Sequence, residues 1–556
     1  MKKIYFSIIF FVSLIAINSC EDLDLEPQDT ITDAIFWKTP NDFKKATNIL
    51  YYSLEGFSYS DTETDIAFNQ NNSISNGTYQ TSETSSSWSD PYVYIRRCNN
   101  IIEKAQNSEI SAQVKESVAE AKFFRAYNYW KLYRLYGGVP IIKTVLDLQS
   151  NELYATKATK TEVADFIISD LEEAAIDLSS KSTLLPADVG RITLQAALAL
   201  KARVALFEGT WNKYHNTGDA NKYFDIAIQA SNTLINSGVL SLYTAKGTNS
   251  YRYLFIEAGD DCSETILDRR YQRNIDGHVY PALLQRIGYL PTKKLADMYL
   301  CSDGLPINKS AQFQGYTSKI SEYQQRDPRM TMTMIVPGNT AKIVGYANGV
   351  ECWPFYPQRI PNTGYTTYKF YSEDDYANPL GESPNFDYDY HIIRYAEVLL
   401  IYAEANFEKS SSISDADLNK SINVIRSRAG MPNLTNAFVT TNALDMKTEI
   451  RRERTIELAL EGFRYDDLRR WKTAETELPQ DLKGIKIKNN DWNLPILING
   501  TNKNIYANSE WQNNTDASGF ILVETGRSFD ANKHYWRPIP TKEISLNQNL
   551  LQNTGW

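Results

Sequence analysis

Histidine is nearly absent from this 556-residue chain, with four residues, and cysteine is sparse, with five. His215, His278, His391 and His534 stand far apart, without an H-E-x-x-H pair or a neighbouring cysteine, so no zinc or nucleophile constellation assembles from them. Cys98, Cys262, Cys301 and Cys352 are isolated; one or two disulfides are open to them in an oxidising compartment, and spacing does not choose the pairing. A calcium loop fails as well. Asp415, Asp417 and Asn419 have the right alternation, but Lys420 takes the turn-glycine place and Arg426 the place of the bidentate Glu, so neither metal nor cofactor is expected. A basic excess is also missing: 58 Lys and Arg face 67 Asp and Glu, a formal net charge of -9, which argues against a nucleic-acid partner. With 42 % hydrophobic and 22 % charged residues the chain is neither a disordered tail nor a multi-span membrane protein. What it has in quantity is Tyr, 36 against 22 Phe, joined by 10 Trp. Rings with a polar handle suit surfaces that meet amphipathic ligands, and equally suit well-satisfied helix seams.

Lys2 and Lys3 precede an uncharged, mostly apolar run from Ile4 to Ile17, and Asn18-Ser19-Cys20 follows. This reads as a secretory signal, too short to span a bilayer as a stable helix. Its end resembles a bacterial lipobox, in which Cys20 becomes the acylated first residue; a soluble secreted protein cleaved nearby is the alternative. Loss of Lys2 and Lys3 takes the net charge from -9 to -11, and Glu21, Asp22, Asp24 and Glu26 make the new start an acidic, solvated tether.

Two helical blocks flank an irregular middle. Ala119, Phe123, Ala126, Tyr127, Trp130 and Tyr133 recur at three- and four-residue steps until Gly137-Gly138 and Pro140. Thr159 with Glu162 forms a capping box for a helix that turns Val163, Phe166, Ile167, Ala174 and Leu178 inward. Further helices are predicted from about Thr193 to Gly209 and Lys222 to Gly238, each stopped by glycine. The second block starts at about Ile392, resumes after Asp415, stops at Gly430-Met431-Pro432 and restarts near Asp445. Alanine-rich seams and short connections predict stacked hairpins in tetratricopeptide style without a clean repeat. Residues 240 to 390 show no sustained period, which predicts loops, short helices and a few hairpins.

Five segments in order carry a family pattern: CEDLDLEPQDTITDAIFWKTPNDFKKATNILY from Cys20, AEAKFFRAYNYWKLYRLYGGVPII from Ala119, RYAEVLLIYAEA from Arg394, INVIRSRAGMP from Ile422 leading to IRRERTIELALEGFRYDDLRRW from Ile450, and YWRPIP from Tyr535 leading to a closing QNTGW. Together they resemble the SusD/RagB family of outer-membrane nutrient-binding lipoproteins. Phe124, Ile401 and Gln548 depart from the family's usual residues, all at framework positions. The resemblance implies a mainly α fold, a scaffold of four tetratricopeptide-like hairpins with an irregular, loop-rich ligand-binding lobe. It implies a signal peptide over 1–19, an acidic lipidated tether over 20–34 and a single domain over 35–556. Within that domain the helical blocks cover about 35–238 and 392–472, the lobe about 240–390, and an irregular segment 473–556. It further implies a surface-exposed outer-membrane lipoprotein anchored through Cys20, serving as lid on a SusC-like TonB-dependent transporter and delivering oligosaccharides or, in some members, peptides.

Glu453, Glu457 and Glu461 lie four apart among Arg451, Arg452, Arg454 and Arg464. A glycoside hydrolase, the rival from another class, needs two carboxylates facing each other across a sugar; one helix face predicts instead an Arg-Glu lattice between helices. No catalytic residue is therefore expected. Asp387 and Asp389 read as exposed loop acids. For ligand binding, the polar segment Ser58 to Tyr94 offers Asp65, Asn69, Trp88 and Tyr92, since amides and carboxylates hydrogen-bond vicinal hydroxyls and flat rings stack on sugars. Its composition also suits a plain mobile loop, but in the family loops between the first helices contribute to the ligand site. The proline-stiffened middle lobe offers Trp353, Tyr356 and Arg359, with Tyr271 and Arg273 preceding them. Trp88 and Trp353 are expected to flank one shallow groove in which Asp65, Asn69 and Arg359 orient hydroxyls.

Overall fold

The computed structural model describes residues 36–58, 60–284, 289–337, 362–372, 386–489 and, apart from some positions between 490 and 508, the remainder to 556. Helices dominate, as expected, and the strands are short. The first block holds α1 (Pro40–Asn48), α2 (Ser86–Gln106), α3 (Lys115–Tyr136), α4 (Lys160–Asp177), α5 (Leu194–His215) and α6 (Ala220–Asn236). From α2 onward each packs on the next in chain order. The seam residues Phe123, Tyr127, Trp130 and Tyr133 of α3 are all buried in the resulting core. At the start of α4, Thr159 Oγ1 accepts the Glu162 N–H and Glu162 Oε2 accepts the Thr159 N–H at 2.8 Å, so two donors that the helix cannot satisfy internally are capped.

Gly209 does not end its helix. α5 runs on to His215 and is capped by Asn216 in the left-handed region at φ 55°. A Cβ on Gly209 would sit 2.9 Å from the Phe224 ring, so this glycine lets α5 and α6 approach closely. A stop signal and a close-packing signal are the same letter in sequence.

After α6 the chain leaves the stack for the middle lobe, where the described residues form short helices and loops, as expected, and returns through β1 (Thr265–Arg269) and β2 (Tyr390–Arg394). These strands are antiparallel, with Thr265 opposite Arg394 and Arg269 opposite Tyr390. β2 runs straight into α7 (Tyr395–Ser410), which packs on α6 and resumes the stack. Ile392 and Ile393 thus belong to a strand, not to the helix predicted there, because a short apolar run does not by itself distinguish the two. α8 (Ile422–Ala429), α9 (Met446–Glu457) and α10 (Arg464–Arg470) complete the scaffold. Among the described residues no helix is long and apolar enough to cross a membrane. Cys98, Cys262 and Cys301 are free thiols, and Cys352 lies outside the described residues.

An Arg-Glu lattice is present and buried as expected, but its cations come from other segments, while Arg451, Arg452, Arg454 and Arg464 pair with Glu408, Glu449, Asp467 and Asp65. Glu457 meets Arg394 at 2.6 Å and Arg329 at 2.9 Å, with Arg428 alongside; Glu453 meets Arg426 at 2.8 Å, and Glu461 meets Arg394 and Lys369. Burial alone would raise Glu457, but the guanidiniums of Arg428, Arg394 and Arg329 outweigh it and hold the carboxyl well below its ordinary value. Glu453 and Glu457 tie α9 to α8, the lobe and the end of β2, and Glu461, just past the helix, ties the same segment to Arg394 and Lys369.

Beside the lattice, His391 places Nδ1 2.7 Å from Asp268 Oδ1 and Nε2 2.7 Å from the Leu254 carbonyl. Burial would lower its basicity; the Asp268 carboxylate and the two acceptors reverse this and push it up to about 10. A folded-state value above the unfolded one, about 6.5, gives stability that is complete below pH about 6.5 and disappears as pH rises through about 10. Thermal melts of the parent and His391→Gln are therefore expected to differ most at pH below about 6.5 and to converge toward pH 10. A gap that widens with pH would refute the charged pair.

Candidate functional site

The early polar segment folds inward. Asp65 is buried and accepts two hydrogen bonds from Arg464, Nε at 2.9 Å and Nη2 at 2.8 Å. Burial pulls its carboxyl upward, but the Arg464 charge prevails and leaves it below its ordinary value. Asp61 accepts the backbone N–H groups of Gly462 and Arg464, and burial pushes it up to about 7. Asn69 is buried and accepts the Asn71 N–H at 2.9 Å. Asn72 and Asn76 donate to Glu524, and Arg527 donates to Ser75. The expectation that Asp65 and Asn69 orient hydroxyls is corrected: both are buried, the Asp65 carboxylate serving a junction with the C-terminal third of the chain and the Asn69 side-chain carbonyl a local turn.

Trp88 is corrected too. It lies on α2, not on a loop, with 3 % of its surface exposed, its ring edge-on to Tyr136 at 5.0 Å and tilted on Tyr92 at 5.6 Å. Tyr92 is half-buried on the same helix, donates to the Pro140 carbonyl at 2.9 Å, and lines a groove of about 780 Å³ with Ile142, Leu148 and Leu153. Trp353, Tyr356 and Arg359 lie outside the described residues.

Tyr271 and Arg273 do reach the surface, on the turn that follows β1. The Tyr271 N–H donates to Asp389 Oδ1 at 2.8 Å, and its ring stacks on Phe57 at 5.8 Å. Phe57 also stacks on Tyr280 at 4.5 Å and contacts His278, Tyr388 and Tyr390, so a rigid aromatic block supports the Tyr271 ring from behind. A Cβ on Gly56 would lie 2.1 Å from Tyr271 Oη, which reserves this position for glycine. The Arg269 guanidinium sits 5.5 Å from the Tyr52 ring and 5.6 Å from the Tyr271 ring while pairing with Asp276 at 2.6 Å. Tyr52 is 64 % exposed. Arg273 pairs with Asp387 at 2.9 Å, both partly exposed. Asp389, by contrast, is buried rather than an exposed loop acid; burial and the Asp268 charge push it up to about 7, and burial and Asp389 push its neighbour Asp260 up to about 8. Burial lowers His278 to about 3, so it stays neutral.

One face therefore presents Tyr52, Arg269, Tyr271, Arg273, Asp276 and Asp387. Tyrosine rings offer apolar area to a sugar face, and paired guanidiniums and carboxylates offer donors and acceptors at fixed positions. Trp88 belongs to the main helical core and Tyr271 to the Phe57 block at the lobe, so these two described candidates lie in different parts of the fold. Tyr52, Phe57 and Arg269 were missed by sequence reasoning. Their signals are the Tyr51-Tyr52 pair just after α1, Gly56-Phe57, and the run DRRYQR that ends β1.

The sequence model of the SusD family matches residues 270–556, and a second, described as starch-binding associating with outer membrane, matches residues 22–206. The chain belongs to the SusD family, as its five segments implied. The SusD-like protein P38 of Formosa agariphila is 26 % identical over 522 residues, which cover 85 % of this chain and 92 % of that protein. A SusD-like carbohydrate binding protein of Bacteroides fragilis superposes with a TM-score of 0.75 at 25 % identity, over 93 % of this chain and all of that one. The starch-binding protein SusD of Bacteroides thetaiotaomicron is 23 % identical over 518 residues, covering 85 % of this chain and 80 % of that protein.

Proposed function

We propose that this protein is a lipoprotein of the outer membrane that binds oligosaccharides at the cell surface without cleaving them and passes them to a TonB-dependent transporter. The observation that carries the reading is the pair formed by exposed Tyr52 and half-buried Tyr271, which bracket Arg269, on a chain whose family relatives include a starch-binding and a carbohydrate-binding protein. Residues 1–19 serve as the export signal, and Cys20 carries the lipid at the head of the acidic tether.

Replacing Tyr271 by Ala removes stacking area at the centre of the face while the Phe57 block keeps its other partners. The loss is expected to be about 2 kcal/mol, roughly thirtyfold in affinity, by calorimetry against the glycan selected in a binding screen. Parent-like affinity in the doubly truncated Tyr52→Ala/Tyr271→Ala protein would show that the face is not the site.

Anchoring has its own test. Cys20→Ala, processed normally, is expected to leave the outer-membrane fraction after a high-salt wash, because cleavage removes the apolar run and leaves acylation as the anchor. Retention of that variant in the membrane fraction would contradict the lipid anchor. Mild-detergent purification at native expression is expected to recover a large barrel protein with the parent, and repeated recovery of the lipoprotein alone would count against the transporter.

A further inference from the structure

Three guanidiniums within five residues, Arg269, Arg270 and Arg273, give this face the outline of an anion trap. The geometry around them says otherwise. Arg269 is bound to Asp276 at 2.6 Å and also donates to the Tyr51 carbonyl at 3.2 Å. Arg270 donates through Nη1 and Nη2 to the two oxygens of Asp261, the longer bond being 3.0 Å, and its Nε lies 3.9 Å from Asp389. Arg273 is bound to Asp387 at 2.9 Å. Each cation thus has a dedicated carboxylate on the same surface, and Asp389 and Asp260 stand behind them, joined through the hydrogen bond from the Asp389 N–H to Asp260 Oδ1 at 2.8 Å.

Resting on the reading of this face as the glycan site, we propose that its ligand is an uncharged oligosaccharide, and that uronates and sulfate esters are rejected. An acidic sugar would have to take a guanidinium from its aspartate, and the displaced carboxylate, tethered to the same backbone, would remain beside the incoming anion. Like charges held at that range oppose binding, and the acidic net charge of the chain adds to the effect. A neutral sugar meets no such conflict. Its hydroxyls accept from guanidinium N–H groups and donate to the neighbouring carboxylate, so each intact Arg-Asp pair becomes a two-point reader of vicinal hydroxyls. Tyr52 and Tyr271 supply stacking that is indifferent to charge.

The experiment is calorimetry on the mature full-length chain with matched probes: neutral glucan, mannan and galactan oligosaccharides, each beside its C6-oxidised uronate and a sulfated counterpart. The expected result is a neutral binder whose charged counterparts are weaker by about tenfold or more, with little change in the neutral affinity as salt is raised. Asp387→Asn removes the carboxylate charge beside Arg273 and is expected to narrow that gap from both sides, strengthening the acidic probe and weakening the neutral one that the intact pair reads. Tighter binding of a uronate or sulfated probe by the parent, falling steeply with salt, would overturn neutral selection while leaving glycan binding intact. Absence of binding to every probe, or a neutral affinity unmoved by Tyr271→Ala, would instead remove the glycan site on which the selection rests, and the proposal with it.

Discussion

Replacing Glu457 by Gln is expected to lower the free energy of unfolding by about 3 to 5 kcal/mol, the range for breaking a buried ion pair from one side. Gln keeps the volume but withdraws the charge shared by Arg394, Arg329 and Arg428, all three of which remain buried. Arg329 keeps Asp327, but the other remaining partners, Glu461, Glu453 and Glu264, already serve more than one cation each. The folded-state value of Glu457 lies below its unfolded one, so this contribution is present above the unfolded value, about 4.3, and is lost as pH falls through the folded one. Denaturant unfolding at neutral pH and at pH about 5 is therefore expected to show the same deficit. A loss under about 1 kcal/mol would mean that the lattice fixes geometry without stabilising the fold.

Trp88→Ala is expected to cost about 3 to 5 kcal/mol of stability and to leave glycan affinity unchanged wherever the variant is folded. The side chain fills the space between α2 and Tyr136, and truncation leaves a cavity that two rigid helices cannot close. Chemical unfolding combined with calorimetry at low temperature separates the two effects. A variant that unfolds like the parent yet no longer binds glycan would restore Trp88 to the site.

The contrast between Trp88 and Tyr271 shows where legibility in the sequence ends. Helix seams repeat over several turns, so α3 and the Thr159 capping box could be read from neighbouring residues alone. Glu453 and Glu457 were readable as a lattice because their spacing put them on one face of α9, whereas Glu461 lies past the helix end. The stretch around Asp65 and Asn69 was not, because a segment rich in amides and carboxylates looks the same whether it greets a sugar or a buried arginine. Arg464, which decides the matter, lies 399 residues away from Asp65. Tyr271 and Arg273 were found because a ring and a cation stood together in a turn-rich stretch, whereas Tyr52 joins them only through the return of β1 onto the end of α1.

The junction between the early polar segment and the C-terminal third also governs how the chain is made. Asp61 and Asp65 wait for Gly462 and Arg464, Asn72 and Asn76 for Glu524, and Ser75 for Arg527. Synthesis delivers the N-terminus first, so these carboxylates and amides spend most of elongation without the donors and acceptors they will be buried against. Contacts of such long sequence separation close late and slowly. The helices from α2 to α6 can stack as they emerge, but the polar segment before them stays unsealed until nearly the whole polypeptide is made. Chains cut short before Arg464 would thus leave this segment without its partners and open to proteolysis.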